Sequence, residues 1–364
     1  MIAERLEASH FRNIVSCDIS FVPGVNVLLG QNAQGKTNAL ECMYLFARGK
    51  SFRAGSDKEL VQFGERGFSA QLTFTDQKRT QTLAIKMQDG VRRRTRNGAE
   101  VSKAGEMIGH FRAVMFCPDH LLLVKGGPEE RRAFLNVAIS QFDRLYVTHY
   151  ARFLKILDNR NFLLKCAKKG QYFSEEELDT WTYQLAEVSA AIATTRMAYV
   201  KRLSPYTETL MTALSGGKEH LKIAYEGSVM GEGEEDIKAG YLAAFTSHRD
   251  KEILAGCSLF GVHRDDLRLE IDGTDARNFA SQGQQRSVVL TLKLAEGEVC
   301  KDICGEYPVY LFDDVLSELD EGRRAFILSG AEDKQFIVTS CEKDLFSNAH
   351  AIYVSDGHFL DTLS

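Results

Sequence analysis

The sequence predicts an α/β fold, in which a head with mixed sheets is built from both ends of the chain and a mainly helical arm is inserted between them. Short apolar runs broken by turn residues occupy both ends, whereas most of 129–214 shows helical spacing. Pro205 is the only proline between Pro128 and Pro308, which favours long helices there. The predicted divisions are an N-terminal head part at 1–125, an arm at 126–255 and a C-terminal head part at 256–364.

Composition limits the classes of function. The 364 residues, of which 44% are hydrophobic, suffice for real cores. The formal net charge is −5, so a nucleic-acid surface has to be a local basic patch. No run approaches the roughly 20 apolar residues of a membrane span, and the charged N-terminus lacks a secretory apolar core. We expect a cytoplasmic protein with no membrane partner, whose eight scattered cysteines are reduced.

The N-terminal part is rich in predicted strands. Apolar runs between 5 and 29 predict strands, and the last of them, Val25 to Leu29, leads into a glycine-containing loop. Alternating apolar residues over 68–101 predict a β-meander with turns at Asp89-Gly90 and Asn97-Gly98.

The arm is predicted from helix start and stop signals. Ser174 to Glu177 matches a capping box that begins a helix. Pro205 fits the first turn of a further helix capped by Ser204, and Gly216-Gly217 fits the end of that helix. A strand is predicted next, at Leu221 to Tyr225.

The C-terminal part returns to strands from residue 259. A helix is predicted around 285–300, because its apolar residues fall on one face. Val309 to Phe312 and Phe336 to Val338 are short apolar runs that suit strands buried on both faces of a sheet.

Residues 30–37, here called the phosphate loop, match G-x-x-x-x-G-K-[ST] at every fixed position. Glycines let backbone N–H groups turn toward phosphates, and the following helix presents its positive end. Lys36 is expected to reach the β- and γ-phosphates of ATP, and Thr37 to bind Mg²⁺. A preceding strand and a predicted helix at Asn38 to Phe46 favour a nucleotide site over a plain tight turn. The residues assigned to the nucleotide are Gly30, Gln31, Asn32, Ala33, Gln34, Gly35, Lys36, Thr37 and Asn38.

Two carboxylates follow the apolar run at 309–312. Open α/β sheets bind their ligands at the carboxyl ends of strands. Asp313 is predicted to bind Mg²⁺ directly or through water, and Asp314 to polarise the attacking water. Two acids that cap a strand end or a helix are the alternative.

ATPases of the ABC type complete each site with a Ser-Gly loop from a second copy, and two segments are candidates for that loop. Leu214 to Lys218 follows a predicted helix and precedes a strand, which favours a plain helix C-cap. Ser281 to Arg286 precedes a helix, as a loop that offers a helix N-terminus to phosphate must. We expect Ser281 and the Gly283 backbone to bind the γ-phosphate held by the other subunit; a polar loop with a helix cap is the alternative.

Several further segments carry a more specific pattern than the nucleotide motifs. They are Phe11-Arg12-Asn13, Lys50-Ser51-Phe52-Arg53, Phe116 to Asp119, Lys125 to Arg132, Gly261 to Asp266 and Ser281 to Arg286. Together with the phosphate loop they resemble the RecF family over most of the chain. The resemblance adds Arg12 and Gln284 to the nucleotide contacts, which also include Ser281 and Gly283. The residues assigned to catalysis are Lys36, Asp314 and Ser281.

The resemblance implies an ABC/SMC-type ATPase head with a short helical arm, ATP and Mg²⁺ as cofactors, and an ATP-dependent homodimer. It implies binding to duplex, gapped or single-stranded DNA and weak, DNA-stimulated ATP hydrolysis that acts as a switch. The implied partners are RecO and RecR, which load RecA at single-strand gaps in DNA repair, replication-fork maintenance and the SOS response.

Basic side chains are the candidates for DNA contacts, because phosphates need cations. The candidates are Lys50, Arg53, Arg92, Arg93, Arg94, Arg131 and Arg132. A solvated basic face is the alternative for each of them. Three positions depart from the family pattern: Phe52 stands where His is expected, Val262 where Pro is expected, and Asn136 where Asp is expected.

Other ATPase classes fit less well. The ATPase subunit of a transporter is the main alternative, but its signature loop follows the phosphate loop much sooner than Ser281 follows Gly30. An SMC-like structural ATPase needs long heptad arms, for which 126–255 is too short. A metabolic kinase has no need of the Ser281 loop.

Overall fold

The computed structural model describes residues 1–342, 344–346 and 349–361. The chain divides into two compact units: unit 1 holds Met1–His120 and Leu290–Ser364, and unit 2 holds Leu121–Val289. Residues 256–289, which the sequence assigned to the head, therefore fall in unit 2. The reason is strand pairing, because Asp266–Ile271 lies antiparallel to Leu221–Glu226 in one sheet.

The secondary structure follows the chain as two sets of elements. The strands are β1 (Ile2–Phe11), β2 (Ile14–Ser20), β3 (Val25–Leu29), β4 (Gly67–Thr75), β5 (Thr80–Gln88), β6 (Val91–Arg96), β7 (Ala99–Glu100), β8 (Ala113–Phe116), β9 (Leu221–Glu226), β10 (Asp266–Ile271), β11 (Thr274–Asp275), β12 (Val309–Phe312), β13 (Phe336–Ser340), β14 (His350–Ser355) and β15 (His358–Asp361). The α-helices are α1 (Lys36–Arg48), α2 (Leu122–Lys125), α3 (Pro128–Ser140), α4 (Arg144–Lys168), α5 (Glu175–Leu214), α6 (Glu234–Ser247), α7 (Arg249–Ala255), α8 (Ala276–Phe279), α9 (Gln282–Cys304) and α10 (Glu321–Leu328).

One sheet of unit 1 is antiparallel, in the order β2-β1-β4-β5-β6-β7. Buried residues alternate along β4 and β5, so one face of the sheet packs on a core. Asp89 and Asn97 adopt left-handed φ angles of 49° and 51° in the turns on either side of β6, and each is followed by glycine. The predicted meander is confirmed.

The other sheet of unit 1 is mixed, in the order β15-β14-β3-β13-β12-β8. Its strands are parallel except for the antiparallel pair β14 and β15. Every residue of β12 and β13 is buried, which suits the apolar runs at 309–312 and 336–338, and β13 ends in the buried hydroxyl residues Thr339 and Ser340. Because β3 and β12 run in the same direction, the phosphate loop and Asp313 leave the sheet at the same edge.

Helix α1 begins directly after the phosphate loop and is buried over most of its length. Helix α9 is longer than the predicted 285–300, and the division between the two units falls within it. Within the described part of the chain, none of the helices combines the length and apolar character that crossing a bilayer needs.

Unit 2 contains mainly helices, with α5 packed against α4, α6 and β9. Helix α5 runs without interruption from Glu175 to Leu214, so the predicted helix start at Pro205 is wrong. An internal proline costs a helix about 3 kcal/mol. Burial on one face offsets this cost, because Leu203, Thr207 and Met211 are fully buried at four-residue spacing on either side of the proline.

Candidate nucleotide-binding site

The phosphate loop joins β3 to α1, and two of its residues have the positive φ angles that favour small residues. Gly35 has φ 116° and Ala33 has φ 66°. A Cβ atom added at Gly30 would lie 2.3 Å from the carbonyl oxygen of Val354 on β14. The predicted strand, loop and helix are therefore present, with glycine where the chain passes closest to its neighbour.

The ammonium group of Lys36 is bound by the backbone at the start of this loop. Its Nζ donates hydrogen bonds to the carbonyl oxygens of Gly30 at 2.5 Å and Gln31 at 3.1 Å, and it lies 3.2 Å from Cys341 Sγ. The Lys36 side chain is only 4% exposed. A buried ammonium held by neutral acceptors suits an anionic ligand, and phosphate is the ligand that this loop geometry fits.

Thr37 and Asp313 meet at the sheet edge where a metal ion is predicted. Thr37 Oγ1 donates to Asp313 Oδ1 at 2.7 Å, and Thr339 Oγ1 donates to the same oxygen at 3.0 Å. Burial raises the pKa of the Asp313 carboxyl, while these two hydrogen bonds oppose the rise. One hydroxyl and one carboxylate are an incomplete set of oxygens for Mg²⁺, which fits an ion that arrives with nucleotide phosphates.

Asp314 lies beside this pair in a left-handed backbone conformation with φ 53°. Its backbone N–H donates to Thr339 Oγ1 at 2.9 Å, so Thr339 orders both acids from the neighbouring strand β13. Aspartate tolerates this conformation better than most side chains. The Asp314 backbone is thereby held next to Asp313, and the action of its carboxylate on the attacking water stays a prediction.

Arg12 and Asn38 were both assigned to the nucleotide. In the structure their side chains bind other residues of the protein. The Arg12 guanidinium forms a two-bond ion pair with Glu41, at 3.0 and 2.8 Å. Asn38 Nδ2 donates to Asn13 Oδ1 at 2.6 Å, and Asn13 Nδ2 donates to the carbonyl oxygen of Ala33 at 2.9 Å. Asn13 thus supports the loop through Ala33, and Asn38 in turn contacts Asn13. Direct contact of Arg12 and Asn38 with nucleotide stays a prediction.

The two candidate signature loops differ as predicted. Gly216 and Gly217 adopt left-handed φ angles of 64° and 83° after α5, so the first candidate is a helix C-cap. Ser281 precedes α9 in a reciprocal capping box: its Oγ accepts from Gln284 N at 3.3 Å, and its N donates to Gln284 Oε1 at 2.8 Å. Ser281 and Gly283 are exposed, so they are accessible to a second copy.

The candidate DNA-binding cations of β6 are divided by the alternation of the strand. Arg92 and Arg94 pair with Met87 and Ile85 of β5, whose side chains are buried. Arg92 Nη1 also contacts Asp57 at 3.0 Å, and burial lowers the pKa of Arg94. Arg93 points to the opposite face and is exposed, so the three arginines do not form one basic surface, and their contacts with DNA stay predictions.

Arg131 and Arg132 hold the structure of unit 2. Arg131 is 5% exposed, and its Nε and Nη2 bind Asp266 at 2.7 and 2.8 Å while Nη1 contacts two backbone carbonyls. Arg132 Nη1 donates to the Asp265 carbonyl oxygen at 2.8 Å. With its donors committed, Arg131 is not a DNA-binding side chain in this conformation. Lys50 and Arg53 are exposed, as a phosphate contact needs.

The three departures from the family pattern all make ordinary internal contacts. Phe52 packs edge-on against Tyr44 with 5.9 Å between ring centroids. The Val262 carbonyl oxygen accepts from Arg196 Nη1 at 2.8 Å. Asn136 Oδ1 accepts from Tyr146 at 2.5 Å and from Arg196 Nη2 at 2.7 Å, a position that an aspartate would also fill as an acceptor.

Three polar residues around the site had no predicted role. Asn13 lies in a segment that resembles the family, but the resemblance gave it no role. Glu41 is a polar residue in a buried helix, and Cys341 is a thiol after a buried strand. Neither feature by itself indicates a function. A search for polar residues inside otherwise apolar elements would have found Glu41, which is fully buried.

Comparisons with known proteins agree with this geometry. Residues 2–356 match the family model described as the RecF/RecN/SMC N terminal domain. The DNA replication and repair protein RecF of Halalkalibacterium halodurans is 38% identical over 348 residues, which cover 94% of each chain. The RecF of Acetivibrio thermocellus is 37% identical, over 96% of this chain and 95% of that protein.

Solved structures give the same result. The recombination mediator protein RecF in the RecFOR pathway, in a structure described as RecF-ATPrS, has a TM-score of 0.93 at 32% identity and covers 99% of this chain and 98% of that one. The structure described as RecF-ATP has a TM-score of 0.92 over 99% and 97%. An Smc head domain from Pyrococcus furiosus shares the fold, with a TM-score of 0.57 at 17% identity over 99% and 95%.

Proposed function

This chain belongs to the RecF family, and on that basis we propose that it is an ATP-driven switch that acts on DNA in replication and recombinational repair. The observation that carries the proposal is the contact between Thr37 and Asp313 at the sheet edge beside Lys36. A hydroxyl and a carboxylate in contact, next to the lysine of the phosphate loop, support the binding of a nucleoside triphosphate here. Relatives named RecF with bound ATP support the choice of nucleotide.

Each residue of the site has a part in handling the nucleotide. Lys36 and the loop N–H groups bind the phosphates, while Thr37 and Asp313 hold Mg²⁺. The ion neutralises charge that develops on the phosphates during transfer. Asp314 accepts a proton from, or orients, the attacking water.

A second copy of the chain completes each site. Ser281, the Gly283 backbone and the N-terminal end of α9 contribute hydrogen-bond donors to the γ-phosphate bound by the other subunit. ATP then joins two heads, and hydrolysis separates them. This arrangement is supported by the exposure of the Ser281 loop and by its position before a long helix.

DNA is the target of the switch. The closed dimer binds duplex, gapped or single-stranded DNA, and with RecO and RecR it loads RecA at gaps and supports the SOS response. The RecFOR pathway named for the structural relative supports these partners. Hydrolysis is slow and DNA-stimulated, as a timing device requires, and the short Asp314 side chain contributes to the slowness. Asp314→Glu is expected to raise turnover, and an unchanged or lower turnover would count against that role.

Subunit mixing tests the shared site. Lys36→Ala and Ser281→Ala should each reduce ATP hydrolysis strongly when assayed alone. A mixed dimer of the two variants has one site with both changes and one intact site. An equal mixture should therefore recover about a quarter of the wild-type rate if subunits exchange at random. No recovery in the mixture contradicts a site completed by the second copy.

A further inference from the structure

A buried carboxylate on α1, Glu41, has no assigned role in nucleotide binding. It is 0% exposed, yet it accepts hydrogen bonds from Nε and Nη2 of the Arg12 guanidinium and from the Ser51 hydroxyl. Glu41 stands four residues after Thr37, so the two side chains lie on the same face of α1. A charge in this position needs partners, and Arg12 and Ser51 supply three hydrogen-bond donors to it.

Ser51 transmits the position of Glu41 to the loop after α1. Its Oγ donates to Glu41 and accepts from the backbone N–H groups of Arg53 at 2.9 Å and Ala54 at 2.8 Å. The hydroxyl thus uses its proton and both lone pairs. The backbone that carries Arg53 is therefore fixed to α1 through one side chain.

Arg53 brings a cation to the residues that support the phosphate loop. It lines one surface pocket with Arg12, Asn13 and Asn38, and Asn13 donates to the carbonyl oxygen of Ala33 in that loop. The guanidinium of Arg53 is exposed, so it depends on its backbone anchor for its position.

The same carboxylate also holds the turn that supports the phosphate loop. Arg12 has φ 55°, and its ion pair with Glu41 fixes this turn. Asn13, the next residue, donates to the Ala33 carbonyl oxygen. Glu41 therefore anchors two separate segments, the turn that supports the phosphate loop and the segment that carries Arg53.

We infer that Glu41 is a positioning residue for ATP hydrolysis, which acts through Ser51 to hold Arg53 in the pocket beside the phosphate loop. The inference rests on the proposed ATPase activity. A glutamine at 41 would turn its NH₂ group toward one of the donors that now contact the carboxylate, so the negative charge and not only the shape is required.

Kinetics of four variants test the link. Ser51→Ala should lower kcat about 10-fold and change KM less than about 2-fold, because the anchor affects the transition state more than ATP binding. Arg53→Ala should have a similar effect, and the double variant should be no slower than Arg53→Ala alone. Ser56→Ala is the matched control, since Ser56 lies in the same loop but contacts Glu59; it should keep the wild-type kcat. A wild-type kcat in Ser51→Ala, or multiplied losses in the double variant, would overturn the inference.

Trypsin cleavage provides a second measurement that needs no ATPase activity. Release of the loop in Ser51→Ala and Glu41→Gln should speed cleavage after Lys50 and Arg53 about 10-fold, with Ser56→Ala at the wild-type rate. Cleavage after Lys169 in unit 2 should stay constant, which separates loop release from general unfolding. If wild type does not hydrolyse ATP, the proposed function fails, while equal cleavage rates in wild type and Ser51→Ala would overturn the anchoring role by itself.

Discussion

The hydroxyl of Thr37 lies 2.7 Å from Asp313 Oδ1, and this contact joins the first turn of α1 to the end of β12. The two residues are 276 positions apart in the sequence. Parallel pairing of β3, β13 and β12 brings them together, because each strand delivers its carboxyl end to one edge. The contact at the predicted metal site is therefore a product of sheet topology.

Asp313→Asn should stabilise the protein without nucleotide and abolish its activity. Burial raises the pKa of Asp313, so its ionised form is disfavoured in the folded state. The resulting cost in stability is absent below the unfolded pKa, appears as pH rises toward the folded pKa, and is complete at neutral pH. Asparagine keeps the acceptor for Thr37 and Thr339 without the charge.

Calorimetry at pH 7 should therefore give a higher unfolding temperature for Asp313→Asn than for wild type, while kcat falls at least about 100-fold. Thr339→Val is a comparison variant that removes a hydrogen bond and leaves the charge, and it should unfold at a lower temperature. A lower unfolding temperature for Asp313→Asn would contradict the unfavourable burial of this carboxylate.

Stability should fall in mild acid through His263. Burial lowers the pKa of this side chain to about 4, and its Nε2 donates to the Ser258 carbonyl oxygen at 3.2 Å. The unfolded chain binds a proton near pH 6.5 while the folded protein does not, so stability is lost as pH falls from 6.5 toward 4. The loss between pH 7 and pH 5 should be about 2 kcal/mol.

His263→Gln keeps a donor for Ser258 and does not titrate. Urea unfolding at both pH values should give a smaller acid loss in this variant. His120, whose pKa burial also lowers well below its usual value, should account for acid sensitivity that remains. An identical pH dependence in wild type and His263→Gln would refute the contribution of His263.

Exposed basic side chains and the ion-paired Arg131 should respond differently in DNA binding. Arg93→Ala and Lys50→Ala should weaken binding and lower the salt slope by about 1 each, because each removes an exposed cation. Arg131→Ala should leave the salt slope unchanged and destabilise unit 2 by about 3 kcal/mol, since Asp266 loses its partner. A reduced salt slope in a folded Arg131→Ala protein would show that its ion pair opens on DNA.

The contrast among these arginines shows how far sequence analysis reaches. The phosphate loop, Asp313 and the Ser281 cap could be predicted because each depends on neighbouring residues and a fixed backbone pattern. The role of Arg131 could not, since its partner Asp266 is distant in sequence and enters only when β10 packs near α3. A cluster of basic residues in the sequence does not show which of them form ion pairs in the folded protein.

The same limit applies to the elements of the fold. Turn residues at Asp89-Gly90 and Asn97-Gly98 predicted the meander correctly, because hairpin turns require left-handed backbone. Pro205 was misleading, because a buried face on both sides of it sustains α5 despite the lost hydrogen bond. Local signals therefore decide turns, whereas packing decides whether a long helix continues.

Nucleotide should protect Cys341 from alkylation. This thiol is exposed, and its Sγ lies 3.2 Å from Lys36 Nζ. With ATP at about ten times its Kd, labelling by N-ethylmaleimide should slow about ten-fold, because only the free site reacts. Mass spectrometry of Cys257, in unit 2, provides the control thiol. Equal labelling of Cys341 with and without ATP would contradict the placement of nucleotide beside it.

The central claim is that ATP closes a dimer that holds DNA, and one measurement tests it most directly. Light scattering and DNA binding are followed together at several salt concentrations with ATP, ADP or no nucleotide, for wild type and Lys36→Ala. The account predicts that ATP alone gives a dimer that binds DNA with a steep salt slope, and that Lys36→Ala abolishes both. Nucleotide binding without either a dimer or a DNA complex would contradict it.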